Sequence, residues 1–589
     1  EVVPGVLIDL CKEFQYKQFG RNPDVNKTCE LSYTAGGQGG VFTQLLSFAD
    51  LSDSSSDADM ICAQLFYRYC PLPPFQTLSD SFLDAWFHGQ RDEPAHVTCR
   101  SKRVGKPQDK DLRVLWTSDI HLDARYAVGS EARCTYKYCC HSNSFNTTTY
   151  NVTGYQTHVP AQNVSLPAPY WGYEGCDAPW SLVASAFQAI EKLGPYDLAL
   201  YTGDLVAHGQ TWEESPDMVH YSESALFDIM HRHLQNTTVV AAIGNHDSYP
   251  TENAAPRKLP NGRSSQFSWD WDYVSKLWHQ EGWVNERQAQ DVRTHYGGYS
   301  ITPRRGLRVI TFNTDFWYRS NVFNYIHSSD PDYSGVLRWV TDELQAAEDA
   351  HERVWIVGHV LPGWDGYSSM DLPTNLFYQI VSRFAPHTLG AIYFGHTHED
   401  QFEVFYFNDN GNDKSTDQST EKAVSIAYIA PSITPYQNLN PTFRVYSVHP
   451  VTYEIMDYDQ YYASIPTFDD LVESKANHGP VWRKLYSARE AYGDFHASSQ
   501  RNTYKAGVEL DHARWPWNAP LNGTFWAAVT DEMEQRPELV QTWAEYTSSM
   551  SPRAKQCTSK KCQEAVICYM RSGSTNLGLK CNGDYSSFQ

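Results

Sequence analysis

At 589 residues the chain is long enough for more than one core, because single hydrophobic cores rarely grow past about 250–300 residues before splitting. With 41% hydrophobic and 14% aromatic residues it has a globular composition, not a disordered or collagenous one. Its formal net charge of -22, from 69 acidic against 47 basic residues, repels polyanions and argues against nucleic acid as a partner.

The sequence pI of about 5.4 means that this charge shrinks in an acidic compartment, which permits acidic working conditions. No run approaches the roughly 18 apolar residues of a membrane span. The chain opens at Glu1 without the basic and apolar regions of a signal peptide, so the expectation is a mature, soluble, monomeric form.

In chain order, residues 1–75 read as a small helical, Cys-linked unit: Met60, Ile61, Leu65 and Phe66 fall near helical spacing. The Pro-rich stretch 71–74 ends it, and 76–110 mixes Pro, Gly and charge as a linker does. From 111 to 465 the character changes to short apolar strands, each running into polar residues. Residues 112–116 lead to Asp119 and His121, 198–201 to Gly203 and Asp204, and 239–243 to Gly244, Asn245, His246 and Asp247. Residues 354–357 lead to Gly358 and His359, and 391–394 to Gly395, His396, Thr397 and His398. Helical patterns at 181–193 and 337–350 lie between them, so strand and helix alternate. In such α/β folds ligands collect at the carboxyl ends of strands. Further strands across 402–453 would complete a second sheet. The strand signal then fades, and 466–589 reads as a helical appendage with helical patterns at 482–492 and 531–549.

Thirteen cysteines include two tight groups, Cys134, Cys139, Cys140 and Cys176, and Cys557, Cys562, Cys568 and Cys581. Six Asn-x-Ser/Thr sequons, at Asn26, Asn146, Asn151, Asn163, Asn236 and Asn522, favour disulfides over zinc thiolates. They also point to an N-glycosylated protein that is secreted or held in a lysosomal or vacuolar lumen. Local pairing gives Cys134–Cys139, Cys140–Cys176, Cys557–Cys562 and Cys568–Cys581. That leaves Cys11, Cys29, Cys62, Cys70 and Cys99, an odd number with one thiol over.

The five strand ends supply what two-metal phosphoryl chemistry needs: a carboxylate to bridge two ions, with imidazole and oxygen ligands around it. Asp204 directly follows Gly203, which lets the backbone approach closely. Imidazole and carboxylate without thiolate suit zinc, manganese or iron.

The series Asp119-Ile120-His121, Gly203-Asp204, Gly244-Asn245-His246-Asp247, Gly358-His359 and Gly395-His396-Thr397-His398 resembles the calcineurin-like metallophosphoesterase signature. Within that superfamily the chain is most similar to acid sphingomyelinase and its phosphodiesterase relatives. Residues 344–349, 402–406, 430–432 and 485–490 and the cysteines around Cys134–Cys140 match as well. The resemblance implies an α/β fold, a two-sheet αββα sandwich with small helical, disulfide-linked pieces at both ends. It implies two zinc ions, one on Asp119, His121, Asp204 and His398, the other on Asp204, Asn245, His359 and His396. It further implies a bridging hydroxide as nucleophile, Asn245 holding charge on the phosphoryl oxygens, and His246 or His208 as general acid.

The implied activity is that of a sphingomyelinase or phospholipase C-type phosphodiesterase, taking phospholipid or sphingolipid at a membrane or micelle surface. The alternative is a phosphodiesterase for nucleotides or other small soluble phosphoesters. Trp171, Tyr173, Trp180, Trp317 and Tyr318 would hold a choline group or dip into lipid, or else form core. Two departures stand out. Ala207 replaces the Tyr of purple acid phosphatases, which argues against a redox iron site. The N-terminal cysteines do not reproduce saposin spacing, with Phe14 at the place of a C-x-x-C partner, so only 62–74 resembles the end of such a domain.

Overall fold

The computed structural model describes all residues except 1, 20–22, 53–54, 66–69, 72, 90–109, 135–137, 145, 153–154, 161–163, 210–212, 409, 466–478, 496–513, 554 and 586–589. Its strands are β1 (Leu112–Thr117), β2 (Thr147–Val152), β3 (Tyr155–Pro160), β4 (Leu198–Tyr201), β5 (Val239–Ala241), β6 (Tyr299–Arg304) and β7 (Leu307–Thr311). They continue as β8 (Arg353–Val357), β9 (Leu389–Phe394), β10 (Gln401–Tyr406), β11 (Ala423–Ile429), β12 (Thr442–Val448), β13 (Ile455–Ala463) and β14 (Trp482–Ser487).

Two six-stranded sheets result, in the orders β14-β13-β12-β1-β4-β5 and β10-β11-β9-β8-β7-β6. β1, β4 and β5 are parallel, as are β7, β8, β9 and β11, while the outer strands run antiparallel. Parallel strands covered on both faces read as unbroken apolar runs, and every residue of β4 is buried. The sheets meet through aromatic rings: Trp116 of β1 lies 5.3 Å from Tyr393 of β9, and Tyr446 of β12 lies 5.5 Å from Tyr428 of β11. Offset and edge-on contacts of this kind favour one face-to-face packing.

Helices Val336–Asp349 and Asp371–Phe384 cover the second sheet, and Trp180–Leu193 packs on Pro216–Leu234. The αββα sandwich expected from the sequence is present. The helical expectation for 482–492 is corrected: residues 482–487 pair with β13 as edge strand β14, and only Ala488–Tyr492 is helical. The apolar residues Trp482 and Leu485 fit a helical period, yet both pack on the core cluster from a strand. The expected helix at 531–549 is two helices, Gly523–Gln535 and Pro537–Thr547. Pro537 lacks the N–H needed inside a helix and starts a new one.

At the N-terminus four helices, Val2–Phe19, Pro23–Ser32, Gln38–Phe48 and Ser56–Met60, carry the disulfides Cys11–Cys29 and, just beyond them, Cys62–Cys70. Cys99 lies outside the described residues. The unit is bound to the sandwich by Asp57, whose buried carboxylate accepts from the amides of His327 and Ser328 at 2.9 and 2.7 Å. The four local pairings read from the sequence are also present. The Cys568–Cys581 bridge closes a 13-residue separation under β10. A loop of that size stabilises through the unfolded state by up to about 3 kcal/mol. Mild reduction should therefore lower the unfolding temperature. An unchanged temperature, with Cys568 and Cys581 mapped as reduced by mass spectrometry, would remove that contribution.

Among the described residues no helix is long and apolar enough to cross a membrane.

Candidate metal centre

The turns after β1, β4, β5, β8 and β9 bring seven side chains together, all of them buried: Asp119, His121, Asp204, Asn245, His359, His396 and His398. Five of these, Asp119, His121, Asp204, His396 and His398, have positive φ between 42° and 78°. L-residues adopt that region at a cost of roughly 1–2 kcal/mol each, so the surrounding hydrogen bonds must fix it. Asp247 supplies several of them. Its carboxylate accepts from the amides of Gly244, Asp204 and Leu205 at 2.8, 2.9 and 2.6 Å, tying the β4 turn to the β5 turn. Thr314 does the same for β8, accepting from the amides of His359 and Val360 at 3.2 and 2.7 Å.

Ring nitrogens and carboxylate oxygens of Asp119, His121, Asp204 and His398 lie within 4.8 Å of one another, as do those of Asp204, His359 and His396. Asp204 is common to both groups. The tautomers follow from the backbone. His121 donates through Nδ1 to the Val206 carbonyl at 2.7 Å, and His359 through Nδ1 to the Thr202 carbonyl at 2.6 Å. Each is left with an Nε2 lone pair aimed inward. His121 Nε2 faces His398 Nε2 at 3.0 Å and Asp204 Oδ2 at 3.4 Å. His359 Nε2 faces Asn245 Oδ1 at 3.0 Å and Asp204 Oδ2 at 3.1 Å, and His396 Nδ1 faces the same Asn245 oxygen at 2.9 Å. Lone pairs brought this close repel one another unless a cation sits between them. The donor set therefore fits divalent metal, with Asp204 common to both groups.

Electrostatics agree. Burial, reinforced by His208 and His398, holds His121 well below the usual histidine range. Burial and His359 push His396 down to about 3. Burial pushes Asp119 up to about 7. Burial also opposes charge on both His359 and Asp204, but their mutual attraction wins: His359 is raised to about 10 and Asp204 is held low. Without metal this pair keeps a proton, which a divalent cation displaces.

The two remaining histidines of the sequence reading flank the cluster. His208 stacks on His121 with 4.2 Å between ring centres, and His246 lies edge-on to His121 at 5.1 Å and 4.4 Å from His208. Proximity in sequence does not pair His246 with the Asp247 carboxylate, which backbone amides occupy. Asp177 binds His208 instead, a residue that sequence reasoning missed because it follows Cys176 in a loop with no motif around it. Of the aromatics, Trp317 is core, packed on Phe312 and Phe377 with its indole N–H on the Val360 carbonyl. Tyr318 lies edge-on to His396 at 5.0 Å. Trp180 is exposed, and Trp171 and Tyr173 are half-buried.

Residues 112–400 match the family of calcineurin-like phosphoesterases, which defines the class of this protein. Sphingomyelin phosphodiesterase 1 of Caenorhabditis elegans is 30% identical over 520 residues, covering 87% of this chain and 79% of the relative. Sphingomyelin phosphodiesterase of Homo sapiens is 32% identical over 389 residues, 65% of this chain but only 55% of the relative. A cyclic GMP-AMP phosphodiesterase of Rattus norvegicus is 27% identical over 401 residues, 65% of this chain and 82% of the relative. The chain belongs to the sphingomyelin phosphodiesterase family, and it is a metal-dependent phosphodiester hydrolase.

Proposed function

We propose that this chain hydrolyses the phosphodiester of sphingomyelin or of a glycerophospholipid, releasing the phosphorylated headgroup, with two zinc ions on the seven converging side chains. The observation that carries the reading is the sharing of Asp204 by both ligand groups, within a chain that aligns with sphingomyelin phosphodiesterases over most of its length. When bound, the two ions supply Lewis acidity at the phosphoryl oxygens and a nucleophilic hydroxide near neutral pH. Asn245, whose Oδ1 faces His359 and His396, has its Nδ2–H left to donate to a phosphoryl oxygen as charge grows there. His208 and His246, on the outer side of His121, are placed to give a proton to the departing oxygen.

Thiolate-free imidazole and carboxylate donors favour zinc. Six disulfides among the described residues support the secretory route and a secreted or lysosomal or vacuolar location, and we read the chain as a monomer there. Glycans suit Asn236, which is exposed after helix Pro216–Leu234, better than Asn522, whose side chain caps helix Gly523–Gln535.

The cyclic GMP-AMP phosphodiesterase relative supports a second reading, a soluble nucleotide substrate cleaved at the same site. A panel of sphingomyelin, phosphatidylcholine, a cyclic dinucleotide and bis-p-nitrophenyl phosphate, assayed at pH 5 and pH 7 with elemental analysis of the same samples, separates the two. Turnover of the lipids with two zinc ions per chain is expected. Nucleotide turnover alone would replace the lipid reading, and activity that survives exhaustive chelation would end the two-metal one.

A further inference from the structure

The helical N-terminal unit meets the sandwich at two loops, and both border the metal centre. Asp57, in helix Ser56–Met60, is 2% exposed, and its carboxylate takes four hydrogen bonds. Oδ2 accepts from the amides of Asp50, in the same unit, and of His327, at 3.0 and 2.9 Å. Oδ1 accepts from the Ser328 amide and hydroxyl at 2.7 and 2.9 Å. Gln38, the first residue of helix Gln38–Phe48, reaches the other loop. Its Nε2 donates to the Thr251 carbonyl and its Oε1 accepts from Asn253 Nδ2, both at 3.3 Å.

The two loops are bonded to each other. Asn253 Oδ1 accepts from the Val322 amide at 3.3 Å, and Asn321 Nδ2 donates to the Ala254 carbonyl at 2.9 Å. Between the two residues that Gln38 holds stands Glu252. Its amide donates to the carbonyl of Asn245 at 2.8 Å, and its carboxylate accepts from the Tyr318 hydroxyl at 3.3 Å. Tyr318 in turn lies edge-on to the ligand His396. A path of hydrogen bonds therefore runs from Asp57 and Gln38 to the wall of the metal centre. The ligand turns are held separately, by Asp247 and Thr314.

We infer that the N-terminal unit braces this wall, with Asp57 and Gln38 as positioning residues that hold Glu252 and Tyr318 in place before substrate arrives. Loops are the mobile parts of a fold unless something ties them down. A wall that is ordered in advance does not have to be ordered at the moment of binding, and substrate is held more tightly by that amount. The effect belongs to binding and not to the ions, because the ligand turns have their own clamps. The inference rests on the phosphodiesterase reading above but not on its lipid half, since any diester at the metal centre meets the same wall.

Steady-state kinetics of full-length variants on bis-p-nitrophenyl phosphate test this, because a soluble diester needs no presentation from a lipid surface; micellar sphingomyelin is run in parallel. D57N keeps one acceptor oxygen and turns an N–H toward amides that already donate. It should raise KM about 10-fold, below the roughly 10²-fold that a 1 Å misplacement can cost, and hold kcat within about 2-fold. Q38A drops two long hydrogen bonds and should raise KM about 3-fold, while Q38E, which keeps the acceptor for Asn253, should recover part of that. Metal content should equal wild type in all three. Y318F cuts the link to Glu252, so its loss and that of D57N should not multiply in D57N/Y318F. If D57N does not fold, Q38A and Q38A/Y318F carry the same comparison. Unchanged KM on the soluble diester, a loss confined to sphingomyelin, a fall in kcat alone, depleted metal, or losses that multiply with Y318F would each overturn the brace. Wild type that cleaves the soluble diester but not sphingomyelin would instead sink the lipid reading and leave this comparison intact.

Discussion

Gly244→Ala should deplete the metal centre and reduce turnover by about 10²-fold, the upper end of the scale on which groups supporting metal ligands act. A methyl group at position 244 would meet Asp204 Oδ1 at 2.1 Å and the Asp204 amide nitrogen at 2.4 Å. Neither contact can be relieved by a side-chain rotation, because one partner is backbone and the other is the carboxylate that both ligand groups share. Gly203 stands in the same squeeze from the other side: it has φ +94°, and a Cβ there would lie 2.6 Å from the Gly244 amide nitrogen. The two turns touch through their backbones, and Asp247 clamps them there. Displacing Asp204 weakens both ions together, so elemental analysis should show near-complete loss and not loss of one. Asp204→Asn should behave alike and cost more than His121→Ala, which removes a ligand from one ion only. Gly244→Ala that keeps two ions per chain, or His121→Ala that proves the more damaging change, would mean that Asp204 is not the bridge.

The convergence of these side chains could be read from the sequence because each strand-end motif follows an apolar strand and, in four of five cases, contains a glycine, so fold and site share one pattern. The resemblance, position by position, named Asp119, His121, Asp204, Asn245, His359, His396 and His398 among them, and the fold brings those seven together. What supports them was not legible. Asp247 looks like a partner for His246 when spacing is the only guide, yet its oxygens are used by four backbone amides, a role no side-chain motif encodes. Asp177 reaches His208 from 31 residues away and Thr434 reaches Asp177 from 257 away, separations at which a single sequence carries no signal. At β14 the three apolar or aromatic residues of 482–487, Trp482, Leu485 and Tyr486, fit a helical period, and only pairing with β13 decides for the strand. Trp317 and Tyr318 are adjacent, but a strand-end turn sends one into the core and the other beside His396.

Stability should fall as pH rises from about 5 to 8, and a pair of carboxyls remote from the metal ligands should account for part of that slope. Glu223 on helix Pro216–Leu234 and Asp270 on helix Ser268–Gln280 are both fully buried, and their oxygens find no hydrogen-bond partner beyond each other. The charges that bear on them, Asp247 and Asp315, are also acids. Of the basic groups on these two helices, His220 stacks on Tyr273, His231 and His233 pair with Glu281 and Glu191, and Arg232 pairs with Asp228. Burial first, then this acidic neighbourhood, raises both carboxyls well above their ordinary range. Two adjacent carboxylates without donors cannot both ionise, so the folded protein keeps protons that the unfolded chain releases near pH 4. A raised folded pKa gives stability that is complete below the unfolded value and is lost as pH climbs toward the folded one. Each carboxyl that stays protonated costs about 1.4 kcal/mol per pH unit across that window. Asp119 and Asp247, raised to about 7, and Asp315, raised to about 8, act with the same sign, so wild type alone does not isolate the pair. Denaturant midpoints of wild type, Glu223→Gln, Asp270→Asn and the double variant, taken from pH 4.5 to pH 8, do isolate it. The variants should match wild type or fall slightly below it at pH 4.5 and exceed it at pH 8, with the double variant showing the shallowest slope. A double variant whose slope equals that of wild type would mean that Glu223 and Asp270 titrate alike in the folded and unfolded chain, and that donors from bound water supply what the protein does not.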